Sequence, residues 1–336
     1  MGRLPDGKAC FVPDVCLGER VSISIEKDAK RMAEGILVAV ESASPDRVEP
    51  RCRYFGECGG CAYQHMDYAA QLEVKRRQVG QVLGRIGGFR DMVVEAPVGA
   101  PEPFEYRNRI TVHARGGRVG FYRRDGRGIM DIERCLLASE VVNEKLAGLR
   151  ERVPEDSVRT LREHEERRGF HQTNDAVAAL LRDGVLAACA SGGSLLIDAY
   201  CGAGFFAHPL ASRFERVVGI EWNGESVALA REAAALNEIY LEGDVAAHLE
   251  GVLSGEDAAG ATVILDPPAQ GVDARVAELL AERRVAQIVY VSCDPGTLAR
   301  DLKRMSAAYE LKSVKPFDMF PQTAEIEVMA VLTGAR

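Results

Sequence analysis

Four apolar runs in the second half of the chain each end at a polar residue, and this repeated pattern constrains the fold more than any other feature. Helical periodicity separates the runs, and strands that alternate with helices predict an α/β fold with a parallel sheet from about residue 170. The carboxyl ends of parallel strands meet at one edge of the sheet, where ligands bind. We therefore expect the four polar residues to share one cleft: Asp198, Glu221, Asp266 and Cys293.

Cys293 is the most informative of these four residues. A β-branched and aromatic run at 288–291 predicts a buried strand, and Asp294 with Pro295 is typical of an N-cap followed by the first helical residue. The partial positive charge of a helix N-terminus favours the thiolate, so we expect a lowered pKa for this thiol. A lone cysteine is more often a packing residue. The strand, the cysteine and the cap together favour a nucleophile instead.

A glycine-containing turn, YCGAG at 200–204, follows the first of these strands. Such a turn lets the backbone approach a ligand closely. The residues also fit a dinucleotide-binding fingerprint, so an oxidoreductase with a nicotinamide or flavin is one alternative. Asp198 directly before the turn is typical of S-adenosylmethionine binders, and Glu221 suits a clamp on ribose hydroxyls. Cys293 and Asp266 nearby suit methyl transfer better than hydride transfer, which favours S-adenosylmethionine.

Three cysteines, Cys52, Cys58 and Cys61, lie within one glycine-containing loop. Clustered thiols without histidine spacing favour an iron–sulfur cluster or a metal. Cys135 is the best remaining candidate for a fourth ligand, and structural zinc is the alternative to a cluster. The cysteines without comparable spacing are expected to be packing residues: Cys10, Cys16, Cys189 and Cys201.

Composition and charge restrict the partners of the chain. Its 336 residues carry a net charge of −8, which is not typical of a nucleic-acid binder. Eight arginines nevertheless lie between residues 107 and 134 against three acidic residues, as either a solvated face or a phosphate contact. No apolar run approaches the roughly 20 residues of a membrane span, and the N-terminus lacks the apolar core of a signal peptide. With nine cysteines, an odd number, we expect a protein of the reducing cytoplasm without membrane contact.

The pattern along the chain predicts three domains. Residues 1–47 contain short alternating stretches broken by glycine and proline, which predict a small β-barrel. Residues 48–169 contain the cysteine loop, a predicted helix over 68–83 and a hairpin that turns at Gly116-Gly117. Residues 170–336 carry the α/β pattern.

Several motifs together resemble the iron–sulfur-containing RNA 5-methyluridine methyltransferase family. They run over nearly the whole chain: SPDRVEPRC, CRYFGECGGCAYQH, EYRNR, GFYRR, DIERC, FHQTN, DAYCGAG, GIEWN, LDPP, VSCDPGTLARDL and DMFPQTAEIE. The cysteine loop and VSCDP are the most specific of these motifs. The resemblance implies a Rossmann-like class I S-adenosylmethionine-dependent methyltransferase domain, preceded by a truncated OB/TRAM-like β-barrel and a short iron–sulfur domain.

The resemblance also implies roles for individual residues. Cys293 matches the nucleophile, and Glu327 matches the base that removes the C5 proton. The matches to the ligands of a [4Fe–4S] cluster are Cys52, Cys58, Cys61 and Cys135. The matches to the cofactor and base site are Gln172, Tyr200, Gly202, Glu221, Asp244 and Asp266. Gln322 stands where this family often has a histidine.

These matches imply methylation of C5 of a uridine in ribosomal or transfer RNA. Cys293 would add to C6 of the uracil, Asp266 would hold the polar edge of the base, and Glu327 would remove the C5 proton. Two alternatives stay open: an RNA cytosine-5 methyltransferase, and a catalytically weak iron–sulfur protein that binds RNA.

The resemblance makes RNA the expected partner of the arginine-rich stretch. Arg123 and Arg124 would contact phosphates, and Phe121 and Tyr122 would be available for stacking on bases. Nothing in the sequence requires an oligomer, so we expect a monomer.

Overall fold

The computed structural model describes residues 1–152, 155–165, 172–189, 191–255 and 258–335. The chain divides into two units. The first contains residues 1–72, 102–163 and 321–324, and the second contains 73–101, 164–320 and 325–336. The predicted boundary at 169 and 170 and the first two residues of the FHQTN motif lie outside the described residues. The division into three domains therefore stays a prediction.

Four strands at the start of the first unit form a mixed sheet. They are β1 (Gly2–Arg3), β2 (Ala9–Phe11), β3 (Arg20–Asp28) and β4 (Met32–Ser42), in the order β1-β2-β4-β3. β2 and β4 are parallel, and the other pairs are antiparallel. β1 and β3 are the edges, and no strand pairing within residues 1–47 joins them. The predicted barrel is therefore not confirmed and stays a prediction.

Helix α1 (Tyr68–Val82) confirms the helix predicted for this region. A π-helical turn, Leu83–Gly87, continues it. The helix begins among the residues of the first unit and ends among those of the second.

A second sheet completes the first unit. Its elements are β5 (Arg109–Arg115), β6 (Arg118–Tyr122), β7 (Ile129–Asp131), α2 (Glu140–Glu151) and β8 (Ser157–Arg162). The strands are antiparallel in the order β7-β6-β5-β8. Arg115 pairs with Arg118 around the two glycines, which confirms the predicted hairpin. Alternate residues of β5, including Ile110 and Val112, pack with Leu146 of α2 in one core.

The second unit is an α/β fold around a seven-stranded sheet. Its elements are α3 (Asp175–Ala188), β9 (Gly193–Ala199), α4 (Ala207–Leu210), β10 (Phe214–Glu221), α5 (Gly224–Glu232), β11 (Glu238–Glu242), α6 (Val245–Val252), β12 (Thr262–Leu265), α7 (Ala274–Arg283), β13 (Gln287–Ser292), α8 (Pro295–Met305), β14 (Tyr309–Phe317) and β15 (Glu327–Gly334). The strand order is β11-β10-β9-β12-β13-β15-β14. β15 is antiparallel to both of its neighbours, whereas β9 to β13 are parallel to theirs within that set. The α/β prediction is confirmed.

Both faces of this sheet are covered, because its strands are apolar at successive positions. Leu195 and Ile197 of β9 pack with the helices on one face, and Leu196 packs with those on the other. The four cysteines predicted to pack are 0–6% exposed, which confirms that prediction: Cys10, Cys16, Cys189 and Cys201. In the described part of the chain, none of the helices has the length and apolar character to cross a membrane.

Candidate active site

Four strands of the second unit bring polar residues to one edge of the sheet. β9, β10, β12 and β13 are parallel to one another, so their carboxyl ends meet there. Asp198 is the last residue but one of β9, and Glu221 is the last of β10. Asp266 and Cys293 directly follow β12 and β13. The structure thus places the four residues expected to share a cleft at the same edge.

Cys293 lies between β13 and α8. Asp294 caps this helix with its side chain and Pro295 begins it, which confirms the local prediction. The lowered pKa predicted from the helix end is wrong. Although the residue reaches solvent, desolvation among neighbouring protein atoms, followed by the charges of Glu327 and Asp266, raises the pKa of the Cys293 thiol to about 11. The two carboxylates outweigh the helix end, so the thiol is protonated at neutral pH in the protein alone.

Glu327 is the first residue of β15 and lies opposite Cys293. Ser292 pairs with Val328 in the antiparallel ladder of β13 and β15, so the next step of the register sets Cys293 against Glu327. Directly opposed residues have Cβ atoms about 4.5–5.5 Å apart. Glu327 is 4% exposed, and burial, followed by the charge of Asp266, holds the pKa of its carboxyl well above its usual range. A strongly basic carboxylate is therefore the neighbour of the thiol.

Asp266 and Asp198 make this edge of the sheet acidic. Burial raises the pKa of Asp266 to about 7. Asp198 is fully buried, and burial, followed by the charge of Asp266, holds the pKa of its carboxyl well above its usual range. Its Oδ2 accepts a hydrogen bond from the backbone N of Ala207 at 3.1 Å, whereas its Oδ1 has no hydrogen-bond partner among the described residues. A desolvated acidic cleft of this kind suits a cationic ligand.

Replacing Asp266 by asparagine is expected to stabilise the protein at alkaline pH. The pKa of Asp266 is about 7 in the folded protein against 3.8 in an ordinary environment, so the unfolded chain releases this proton first. The resulting penalty on the folded state grows as pH rises from about 4 and is complete above about 7. The shift corresponds to about 4 kcal/mol, which we reduce to about 2 kcal/mol because Asp266 is partly exposed.

Thermal unfolding of the wild type and Asp266→Asn at pH 8 and pH 4.5 measures this effect. The gain in Tm should be larger at pH 8 and should shrink at pH 4.5. Asp183→Asn, on the exposed surface of α3, is the control and should change Tm little at either pH. A gain that is equal at the two pH values would contradict the assigned pKa.

The turn after β9 has left-handed backbone angles. Tyr200, Gly202 and Gly204 have φ values of 67°, 54° and 83°. A Cβ at Gly204 would lie 2.4 Å from Nε2 of His208, so this position requires glycine, whereas a Cβ at Gly202 would meet no atom within 4 Å. The backbone N of Gly202 donates to Oε2 of Glu221 at 3.1 Å, which holds the turn at the end of β10. A ligand can thus approach the backbone at Gly202.

The other residues expected to bind the cofactor lie around this turn or precede it in the chain. Glu221 pairs with Glu242 in the ladder of β10 and β11, and Asp244 follows two residues later as the exposed N-cap of α6. The charge of Asp244 also reaches Tyr200, whose pKa is raised to about 12, mainly by burial. Gln172 is half-buried in the segment before α3. The structure therefore brings Tyr200, Glu221 and Asp244 together, and their roles stay predictions.

The four cysteines matched to a cluster come from two segments of the first unit and lie in one region. All four are half-buried and form no disulfide: Cys52, Cys58, Cys61 and Cys135. Burial, with the charges of Cys135 and Cys52, raises the pKa of the Cys58 thiol. Burial, with the charges of Cys135 and Cys58, raises the pKa of the Cys61 thiol to about 12. The thiols are therefore close enough to influence one another.

The surroundings of these thiols suit sulfur ligands of a cluster by their chemistry. The backbone N of Gly60 donates to Sγ of Cys58 at 3.4 Å, and Nε2 of Gln64 donates to Sγ of Cys61 at 3.2 Å. Hydrogen bonds to sulfur are one of the means by which proteins tune such clusters. As the side chains lie, no three or more His, Cys, Asp or Glu residues in the described part of the chain form a group that could hold a metal ion. A cluster and a zinc ion both stay predictions.

Arg123 and Arg124 form ion pairs within the first unit. Arg123 pairs with Glu57, and Arg124 lies 2.5 Å from Oδ2 of Asp14. Arg124 also donates to the carbonyl oxygen of Cys61 at 3.0 Å. Substitution of either arginine would therefore disturb the cysteine loop as well as any contact with phosphate, which makes these residues poor probes of RNA binding.

The second sheet of the first unit exposes an aromatic ring on its outer face. Tyr122 is 50% exposed, and its ring centroid lies 4.4 Å from that of His113. The hydroxyls of Thr111 and Thr160 are 3.0 Å apart on the neighbouring strands. Phe121 packs instead against the core of this sheet, which corrects the prediction that it is available for stacking. Tyr122 is the exposed member of the expected pair.

Sequence analysis missed a buried stripe on α1 and the turn that follows it. The stripe contains a residue at every fourth position, each at most 1% exposed: Gln71, Lys75, Val79 and Leu83. Lys75 forms an ion pair with Asp318, and Gln71 binds Gln322, both in the loop that precedes Glu327. The four-residue spacing of two polar and two apolar residues was the available signal, because polar residues in register with a buried stripe require buried partners.

Comparison with known proteins gave consistent matches. A family model described as tRNA (Uracil-5-)-methyltransferase matches residues 129–242 and 247–334. An uncharacterised RNA methyltransferase of Gloeobacter violaceus is 30% identical, over 99% of this chain and 93% of that protein. One of Halalkalibacterium halodurans is 29% identical, over 97% and 92%. The solved structure of Pyrococcus abyssi tRNA (uracil-54, C5)-methyltransferase in complex with S-adenosyl-L-homocysteine has a TM-score of 0.72 and 25% identity, and covers 98% of both chains.

Proposed function

The chain belongs to the tRNA (uracil-5-)-methyltransferase family, and from this premise we propose that it methylates C5 of a uridine in RNA through a covalent adduct with Cys293. As a member of this family, the chain is an RNA methyltransferase that uses S-adenosylmethionine. The covalent route and the choice of uridine rest on the chain's own residues.

One observation carries this proposal: a thiol and a buried carboxylate oppose each other on adjacent strands. Cys293 follows β13, and Glu327 begins the antiparallel strand β15. Carbon 5 of uracil is a poor nucleophile until a group adds at C6, and its methylated product still carries a proton that must leave. A nucleophile and a base at neighbouring positions provide for both of these needs.

The proposed reaction has two halves. The Cys293 thiolate adds to C6 and forms an S–C6 bond, which makes C5 an enolate carbon that takes the methyl group from the sulfonium. The Glu327 carboxylate then removes the C5 proton. The electron pair of that C–H bond restores the C5–C6 double bond as the S–C6 bond breaks, and the Cys293 thiolate is released. The target base must leave its stack to reach Cys293, so base flipping is part of the proposal.

The acidic strand edge would bind both the cofactor and the uracil. S-adenosylmethionine supplies a methyl group made electrophilic by its positively charged sulfur. Glu221 and the turn at 200–204 would bind its ribose and methionine parts, with Gln172 and Asp244 beside them. Asp266, with a pKa of about 7, is partly a neutral acid at physiological pH and could donate a hydrogen bond to the polar edge of the base.

Four cysteines of the first unit would hold the [4Fe–4S] cluster: Cys52, Cys58, Cys61 and Cys135. The proposal is supported by their shared location, their lack of disulfides and the N–H donors at two sulfurs. Methyl transfer consumes no electron, so we assign the cluster a structural role in the fold and in RNA binding. The exposed Tyr122 ring and the neighbouring hydroxyls would contribute stacking and polar contacts to the RNA.

Loss of the cluster is expected to destabilise the protein and weaken RNA binding. Cys58→Ser should lose iron and acid-labile sulfide and should lower Tm by about 5 °C or more, since a structural metal centre contributes folding free energy. Elemental analysis and thermal unfolding of anaerobically purified protein measure both effects. Cys10→Ala, in the first sheet, should keep full iron content. One zinc ion and no iron in the wild type would contradict the cluster and support the alternative.

Tritium release tests the proposed function directly. RNA labelled at uracil C5 is incubated with anaerobically purified protein and S-adenosylmethionine, with unmodified ribosomal and transfer RNA in separate assays. Release that depends on the cofactor supports the proposal and identifies the RNA class. The similarity to an enzyme named for uracil 54 of tRNA makes transfer RNA the first pool to assay. Release from cytosine-labelled RNA alone would favour the cytosine-5 alternative, and RNA binding without any release would favour a binding protein.

A further inference from the structure

Gln322 has a backbone conformation that residues other than glycine rarely adopt. Its φ is 69°, in the left-handed region, and it is 3% exposed within the loop of residues 318–326 between β14 and β15. A residue in this conformation persists only where the surrounding contacts over-determine it, and such residues cluster at functional sites. The contacts of Gln322 therefore bear on the function of the loop.

Four hydrogen bonds hold Gln322 in place. Its backbone N donates to Oε1 of Gln71 at 3.2 Å, and Nε2 of Gln71 donates to Oε1 of Gln322 at 2.9 Å. Its carbonyl oxygen accepts from the backbone N of Ala62 at 2.9 Å and of Tyr63 at 3.0 Å, the two residues after Cys61. Gln322 is thus fixed by α1 and by the cysteine loop at the same time.

Neighbouring residues of the loop have anchors of their own. Lys75 Nζ lies 2.5 Å from Oδ1 of Asp318 and donates to the carbonyl oxygen of Phe320 at 3.1 Å. The side chains of Lys75 and Asp318 are 1% and 0% exposed, so water does not screen this pair. The hydroxyl of Tyr106 donates to the carbonyl oxygen of Pro321 at 3.0 Å. The segment from 318 to 322 is therefore held at four of its five residues.

Glu327 follows this anchored segment by five residues and begins β15. We propose that Gln322 is a positioning residue which, with Gln71, fixes the path of the chain into β15 and hence the place of the Glu327 carboxylate at C5 of the uracil. The inference rests on the proposed role of Glu327 as the base. Addition of Cys293 to C6 does not use this carboxylate, whereas elimination does. Displacement of the loop should therefore slow the second half of the reaction and spare the first.

Two variants remove the same contact from opposite ends. Gln322→Gly keeps the left-handed backbone accessible and removes the side chain, and Gln71→Leu removes the partner while keeping the bulk of the helix face. Gln81→Leu, exposed on the same helix, is the matched control. Steady-state tritium release from the RNA pool that the wild type accepts gives kcat and KM. Denaturing gels with methyl-labelled S-adenosylmethionine measure the methylated protein–RNA adduct.

Both Gln322→Gly and Gln71→Leu should lower kcat by about 10- to 100-fold, because a displacement of about 1 Å can cost that much. The KM for RNA should stay within about two-fold of the wild type, and the methylated adduct should accumulate. The double variant should be no slower than the slower single variant, since both changes remove one interaction. Gln81→Leu should behave as the wild type does.

Several outcomes would overturn the inference. One is an unchanged kcat, and another is a loss of kcat without accumulated adduct. If one variant fails to fold, the other decides, and misfolding of both assigns the contact to the fold alone. The proposed function fails in a different way: Glu327→Gln would then accumulate no methylated adduct. If Glu327→Gln accumulates the adduct and the glutamine variants do not, only the role of Gln322 is lost.

Discussion

Cys293→Ala is expected to abolish methylation of uracil C5. The substitution removes the group that adds to C6, and without that addition C5 has no electron density to accept a methyl group. Loss of a covalent nucleophile typically costs about 10⁴-fold or more in kcat. Tritium release from C5-labelled RNA should fall by at least that factor, and denaturing gels should show no protein–RNA adduct.

The variant should nevertheless fold and bind its ligands. Cys293 is exposed at the end of β13, so a smaller side chain leaves no buried cavity. Tm and the affinity for RNA should therefore match those of the wild type, which separates a chemical loss from a structural one. Cys10→Ala is the matched control, since it removes a cysteine of the first sheet and should leave turnover unchanged. Full turnover by Cys293→Ala would refute the covalent route.

Glu327→Gln is expected to stop the reaction after methyl transfer. The amide has the shape of the carboxylate but cannot take the C5 proton, and general-base catalysis typically contributes about 10²- to 10⁴-fold. Cys293 should still add and the methyl group should still transfer. The methylated RNA should therefore remain bound to the protein through C6, as a species stable on denaturing gels and labelled from the methyl donor.

Glu310→Gln provides the control for this experiment. Glu310 is an exposed carboxylate of β14, and its loss should change neither turnover nor the amount of adduct. Glu327→Gln is also expected to raise Tm at neutral pH, because it removes a buried acid whose pKa lies well above its usual range. Normal tritium release by Glu327→Gln would exclude this residue as the base.

Local signals predicted the elements around the nucleophile. The run before Cys293, the cap at Asp294 and Pro295 at the helix start are each encoded by adjacent residues, and the structure has all of them where they were expected. The hairpin at Gly116-Gly117 was predictable for the same reason. These features depend on φ preferences and side-chain caps, which act over only a few residues.

The electrostatics of the site depend on contacts that no local pattern reveals. The pKa of Cys293 was predicted to fall because only its own helix was visible in the sequence. β15 inserts antiparallel between β13 and β14 and brings Glu327 beside the thiol, which reverses the direction of the shift. The contact of Gln71 with Gln322 joins residues 251 positions apart. Pairings of this range are set by the packing of the whole fold, so a single sequence does not specify them.

The raised pKa of an exposed nucleophile has a consequence for the resting enzyme. Peroxides and alkylating agents react with thiolates, and a thiol whose pKa is about 11 is ionised in only about one molecule in 10⁴ at pH 7. Cys293 is therefore accessible to solvent and yet chemically quiet between turnovers. Oxidative damage and covalent inhibitors would reach this residue mainly under conditions that shift its charge environment, such as alkaline pH or neutralisation of the neighbouring carboxylates.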